Sequence, residues 1–226
     1  MSEEKKVIQR GVVVEFDFAV IDGAQVLFET ARKVLAPEGV DLTVKLEALH
    51  LAGGNYHGGM AELFRALGHS GDAGQVSRTL AEAFTAELTA RAAAAVTPGF
   101  KAFVSALVAK GLKVVIATRA DIEVLRPACA GFDKDNVVLY AEPSMTYGNC
   151  KWDAWSRACS TNGLMSLLTV GVTGSGYGVK AALVSGMSAI AVIHDHVAYQ
   201  DFGGADVTVD KLDAKVSDEV FRMLHL

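Results

Sequence analysis

Two carboxylates, Glu15 and Asp17, stand at the end of the apolar run Val12-Val13-Val14 with Phe16 between them. The run is short and β-branched, which predicts a buried strand. In extended chain, alternate side chains point the same way, so the two acids would share one environment. Paired carboxylates at the C-terminal end of a strand suit a divalent cation and a phosphate. A second apolar run, Leu112 to Ala117, ends in Thr118-Arg119. The threonine hydroxyl stands where an anion would be held, although threonine is also common where strands meet helices. The arginine reads as a solvated charge, the alternative being a contact with an anion or with a covering helix.

Other residues invite weaker chemistry. Gly171 to Gly178 contains four glycines without the spacing of a dinucleotide fingerprint or the lysine of a P-loop. Gly174, Gly176 and Gly178 precede a helical stretch, and unpaired amides there would favour an anion. His194-Asp195-His196 would place two imidazoles on one side of an extended segment, but two ligands make a poor metal site and an ordinary loop is the better reading. His57 lies in the glycine-rich break Gly53 to Gly59. Trp152 and Trp155, three apart, read as one packed helix face.

The elements that must position these residues emerge from periodicity. Between the first strand and Pro98 the pattern is helical: about Gln25 to Pro37, Leu42 to Leu51, Met60 to Leu67 and Ala73 to Ala95. From Pro98 onward helices alternate with strands. Helices are expected at Phe100 to Lys110, Asp121 to Cys129 with a bend at Pro127, Trp152 to Cys159 and Val179 to Ser185. Strands are expected at Leu112 to Ala117, Val137 to Tyr140, Leu167 to Val170 and Ala189 to Ile193, with a short segment at Asp206 to Val209 and an apolar C-terminal helix face at Val220, Phe221, Leu224 and Leu226. Such alternation predicts an α/β protein with a parallel sheet covered on both faces. The helical block then becomes an insert hanging over the strand ends as a cap.

A chain of 226 residues carries one sizeable core or a core with a smaller insert. Its formal charge of -5 argues against a nucleic-acid partner. Three cysteines without paired spacing fit a reducing, cytoplasmic setting, the N-terminus lacks a signal-peptide pattern, and no apolar run reaches membrane-spanning length.

In layout and motifs the chain resembles the haloacid-dehalogenase-like superfamily, in its helical-cap, phosphoglycolate phosphatase-like group. Its Glu15-Phe16-Asp17-Phe18-Ala19-Val20-Ile21-Asp22 matches the family's Asp-x-Asp-Gly-[Thr or Val]-Leu-x-Asp. Val114 to Thr118 matches the second motif, and Gly178 to Met187 matches the tail of the fourth. The resemblance implies a Rossmann-like core formed by residues 1–23 and 96–226, with a helical cap at 24–95. It also implies a first carboxylate as nucleophile at Glu15, a general acid and base at Asp17, and magnesium held by both. Phosphate would be held by Thr118, Lys151 and Gly174.

The departures fall on the chemistry. Glu15 replaces the aspartate nucleophile and moves its oxygens by roughly 1.5 Å, when about 1 Å of misplacement costs around a hundredfold in rate. Val172 stands where a further metal carboxylate belongs, Phe18 replaces a glycine, and Asn149 replaces the third-motif lysine, with Lys151 two residues away. The expectation is therefore a degraded phosphatase site in a binding, scaffold or regulatory protein with no firm cofactor. A small phosphate or other anion, or a protein, remains open as partner, as do monomer and homodimer. The rival is a magnesium-dependent phosphomonoester hydrolase or phosphotransferase with a non-standard carboxylate set. A hydrolase using His57 with Asp17 ranks last.

Overall fold

The computed structural model describes residues 9–51, 56–142, 152–197 and 200–226, with the side chains of 57, 152, 153 and 197 outside that set. The fold opens on strand β1 (Gln9–Glu15) and a single π-helical turn (Phe16–Val20). Next come four helices: α1 (Gly23–Leu35), α2 (Val44–His50), α3 (Tyr56–Leu67) and α4 (Ala73–Ala95). Local chemistry starts several of them. Asp22, Thr43 and Asp72 each accept a backbone N–H of the first turn of α1, α2 and α4. Helix α5 (Pro98–Ala109) begins with proline behind the Thr97 cap, where a missing N–H costs nothing.

The remaining elements are β2 (Lys113–Thr118), α6 (Leu125–Ala128), β3 (Val137–Ala141), α7 (Trp152–Thr161), β4 (Leu164–Thr173), α8 (Gly176–Val184), β5 (Ser188–Val192), β6 (Val207–Val209) and α9 (Ala214–Met223). All strand pairings are parallel, and the order is β3-β2-β1-β4-β5-β6. The expected α/β architecture, a Rossmann-like sheet with a helical insert after the first strand, is what the chain adopts.

Two expectations need correction. The helix expected over Asp121 to Cys129 is a 3-10 turn (Ile122–Val124) succeeded by the single turn α6, because Asp121 caps the 3-10 turn locally through the Glu123 N–H and Pro127 keeps α6 from extending. The strand expected at Leu167 to Val170 runs the full length of β4, because its glycine-containing end is paired on both sides, to β1 and to β5.

Strand parity divides the core. Val12, Val14, Val114, Ile116, Val170 and Val172 face one side, while Val13, Val115, Ala189 and Ala191 face the other with Trp155 and Val179. The first cluster continues without a break through Phe16 and Phe18 into the insert, reaching Tyr56, Leu80, Phe84 and Leu88. Aromatic contacts fasten this seam: Phe18 and Phe84 lie 6.1 Å apart between ring centres, and Tyr56 meets Phe84 edge-on at 5.9 Å. Among the described residues, no single helix is long and apolar enough to cross a membrane.

Candidate functional site

The strand order reverses direction between β1 and β4, and the C-terminal ends of strands at such a point are where open α/β sheets hold ligands. Glu15 ends β1, Thr118 ends β2 and Thr173 ends β4. Parallel register brings them together: Glu15 lies opposite Ala117, one residue short of Thr118, while Val14 lies opposite Val172, one residue short of Thr173. Glu15 shares the strand face of Val13, and Thr173 that of Gly171. Asp17 arrives by a different route from the one expected. The strand stops at Glu15, so Asp17 is placed by the π turn rather than by strand alternation.

The result is a closed hydrogen-bonded cluster. Arg119 donates to Glu15 Oε1 through Nε at 2.8 Å and also through a terminal guanidinium nitrogen. The hydroxyl of Thr173 donates to Glu15 Oε2 and accepts the Ser175 N–H at 3.2 Å. Asp17 accepts the Thr118 hydroxyl on Oδ1 at 2.7 Å and the Arg119 N–H on Oδ2 at 2.6 Å. The Arg119 guanidinium carbon lies 4.7 Å from the centre of the Phe18 ring, a cation–π contact in a desolvated place. Arg119 is only 4 % exposed, which corrects its reading as a solvated charge. Burial follows from its partners: a buried guanidinium is tolerated when a carboxylate neutralises it and an aromatic face covers it.

Burial pushes the Asp17 carboxyl up to about 6, outweighing the Arg119 N–H, the Thr118 hydroxyl and the guanidinium, which pull the other way. Every oxygen of Glu15 and Asp17 already accepts a hydrogen bond within the protein. Glu142, the acid just beyond β3, accepts Tyr140 OH at 2.7 Å and Arg157 Nε at 2.9 Å. Among the described residues, no three His, Cys, Asp or Glu side chains gather as metal ligands. This donor set does not fit a hard dication, which needs several oxygens turned toward it. The space bounded by Glu15, Thr118, Arg119, Tyr140 and Trp155 measures about 20 Å3, close to the room one water occupies. On the insert side, a space between Tyr56, Phe84 and Arg119 measures about 10 Å3.

Gly174 lies where two loops of the site meet. A Cβ there would lie 1.8 Å from the Phe18 carbonyl oxygen, so the residue lets the β4 end touch the π turn. The glycine-rich turn also uses its own amides: Ser175, Gly176 and Gly178 donate to Thr173, Gln200 and the Ser175 hydroxyl. Replacing Gly174 by alanine must displace backbone, and we expect a loss of about 2 kcal/mol or more, read as a lowered urea midpoint. An unchanged midpoint would mean that the two loops do not touch.

The other residues singled out disperse. His194 Nε2 lies 3.0 Å from the Phe18 carbonyl, which can only accept, so that nitrogen carries the proton. Asp195–Val197 is a 3-10 turn rather than extended chain, and the His196 ring rests 5.2 Å from that of Phe28. Trp155 is buried against Gly171 and Ala182, as a packed helix face requires. Lys151 and the side chains of His57 and Trp152 lie outside the described residues. Thr173 is the partner that sequence reading missed.

No protein-family model and no curated protein sequence matches the chain, so its likeness to known proteins lies in the fold. A β-phosphoglucomutase from Clostridium difficile superposes with a TM-score of 0.73 at 14% identity, covering 95% of this chain and 98% of that one. A hydrolase from Pseudomonas syringae gives 0.69 at 19% identity over 93% and 98%. The CbbY protein of Rhodobacter sphaeroides, solved in complex with phosphate, gives 0.65 at 19% identity over 90% and 95%. Together with the strand order and the helical insert, these matches define a haloacid-dehalogenase-like fold with a helical cap.

Proposed function

We propose that this protein is a non-catalytic relative of the capped phosphatases, working as a binding or regulatory protein whose former anion site is closed by its own side chains. The observation that carries this reading is the Arg119–Glu15 pair. A guanidinium there supplies the positive charge that a phosphatase would take from a metal, and it fills the ground a phosphate would occupy. Thr173 engages the second Glu15 oxygen. A carboxylate so held cannot approach a phosphorus atom in line without breaking its bonds to Arg119 and Thr173. Phe18, wholly buried, lies where the related motif has glycine.

One observation favours the rival. Asp17, with its carboxyl raised to about 6, would suit proton transfer near neutral pH in a magnesium-dependent phosphomonoester hydrolase. Phosphate release from a panel of phosphomonoesters, with and without magnesium, separates the two when the protein is compared with Glu15→Gln. The expected result is release no greater than that of the variant. Magnesium-dependent turnover abolished by Glu15→Gln would overturn the non-catalytic reading.

A further inference from the structure

Glu47 sits on the short helix α2 of the insert, 1 % exposed, and its Oε1 has no hydrogen-bond partner. Native proteins rarely leave a buried polar atom unsatisfied, and a carboxyl is among the costliest to leave so. It is not an isolated irregularity. One turn on, His50 Nδ1 is buried and likewise lacks a hydrogen bond, with Glu62 Oε2 of α3 3.9 Å away. From the start of α1, Asp22 acts on Glu47 with a repelling negative charge. Tyr56, at the start of α3, is buried too. The charged group acting on Glu47 is thus Asp22 from α1, with His50 one turn along its own helix and Glu62 of α3 beside that histidine. Among the described residues no salt bridge neutralises Glu47.

The position of this cluster gives it leverage. Asp22 caps α1 where the chain leaves the sheet for the insert, so it stands at the junction between core and cap. Helix α3, against which α2 packs, carries Tyr56 onto Phe84. Tyr56, Phe84 and Arg119 line the same small space. Moving α2 and α3 outward would lift Tyr56 from the seam and uncover the Arg119 side of the buried cluster. Gly59 fixes the approach of the two helices, since a Cβ there would lie 1.7 Å from the His50 carbonyl oxygen. The two helices are therefore in close backbone contact.

We infer that Glu47 is a proton-operated latch: with its carboxyl neutral, α2 and α3 seal the seam over the Arg119–Glu15 cluster, and its ionisation releases them. The physical drive is the cost of an anion that is buried from water with no cation to neutralise it. Burial, with Asp22 adding to it, pushes the Glu47 carboxyl up to about 8, so the proton is lost within an ordinary pH range rather than at an extreme. Opening lets the carboxylate reach water, where its affinity for the proton returns to normal. The inference is independent of whether the Glu15 site is catalytic, because the latch acts on access to the cluster in either case.

Amide hydrogen exchange of α2 and α3 tests it, with the amides of α5 as internal reference for the intrinsic effect of pH. Between pH 6 and pH 9 the opening constant of α2 and α3 should rise by about tenfold to a hundredfold relative to α5. In Glu47→Gln, which keeps the shape and cannot ionise, that relative rise should vanish. Asp22→Asn retains a helix cap and removes the repelling charge, so the rise should shrink without disappearing. An equal rise in the native protein and in Glu47→Gln would overturn the latch, and so would a native protein whose α2 and α3 show no rise beyond α5.

Discussion

Arg119→Met should cost about 3–5 kcal/mol at neutral pH, because it leaves Glu15 charged and buried with only the Thr173 hydroxyl in support. That loss is a large share of the roughly 5–15 kcal/mol that holds an ordinary domain together. Removing the charge from both partners should be far milder, since an apolar pair has no desolvated charge to satisfy. Glu15→Leu combined with Arg119→Met is therefore expected to recover most of what the single change loses. Urea unfolding of the native protein, the single variant and the double variant makes the comparison. If Arg119→Met costs under about 1 kcal/mol, or the double variant is no better than the single one, the ion pair is not what holds the strand ends together. The same comparison separates charge from volume. A cavity left by the guanidinium would persist in the double variant, whereas the unpaired carboxylate would not.

That Arg119 matters this much was hidden in the sequence, and the reason is its partner. Glu15 is 104 residues away, and only parallel register between β1 and β2 brings the two together. Read locally, an arginine after a strand is a surface charge. Thr173 was hidden by strand parity. Counting to Val172 lands on the face that packs with Val12 and Val14, while the next residue faces Glu15. A shift of one residue exchanges the two faces of a strand. Asp17 was correctly grouped with Glu15 through an incorrect geometry, because nothing in Phe16-Asp17-Phe18-Ala19-Val20 announces a π turn by glycine or proline. The alternation of buried strands with helices was legible, since burial imposes a period on the sequence. So was the insert, whose helices carry their caps at Thr43 and Asp72. What was legible lay in periodic patterns, and what was not lay in pairings across the sheet.

The buried acids also set how stability should vary with pH, and the direction is opposite to that of an ordinary salt-bridged protein. Asp17 and Glu47 both hold their protons more tightly folded than unfolded, with carboxyls at about 6 and about 8 against ordinary values of 3.8 and 4.5. Their contribution is fully present below the ordinary values and is lost as the pH climbs through the folded ones. Full ionisation of either removes on the order of 3 to 5 kcal/mol. Acids held below the usual range, such as Glu29 beside Arg91, act in the other direction, and their contribution is lost as the pH falls below the ordinary value of 4.5. Maximum stability is thus expected between about pH 4 and pH 5, with a fall from there to pH 8. Glu47→Met, similar in volume and without a polar atom to leave unpaired, should remove the larger part of that fall. At pH 8 it should melt about 10 °C above the native protein, on the scale expected for a chain of this length, and at pH 4 the two should lie close together. A native protein that melts higher at pH 8 than at pH 5 would show that Glu47 finds a compensating charge. A Glu47→Met variant stabilised equally at both pH values would show that packing, rather than ionisation, is what the carboxyl disturbs.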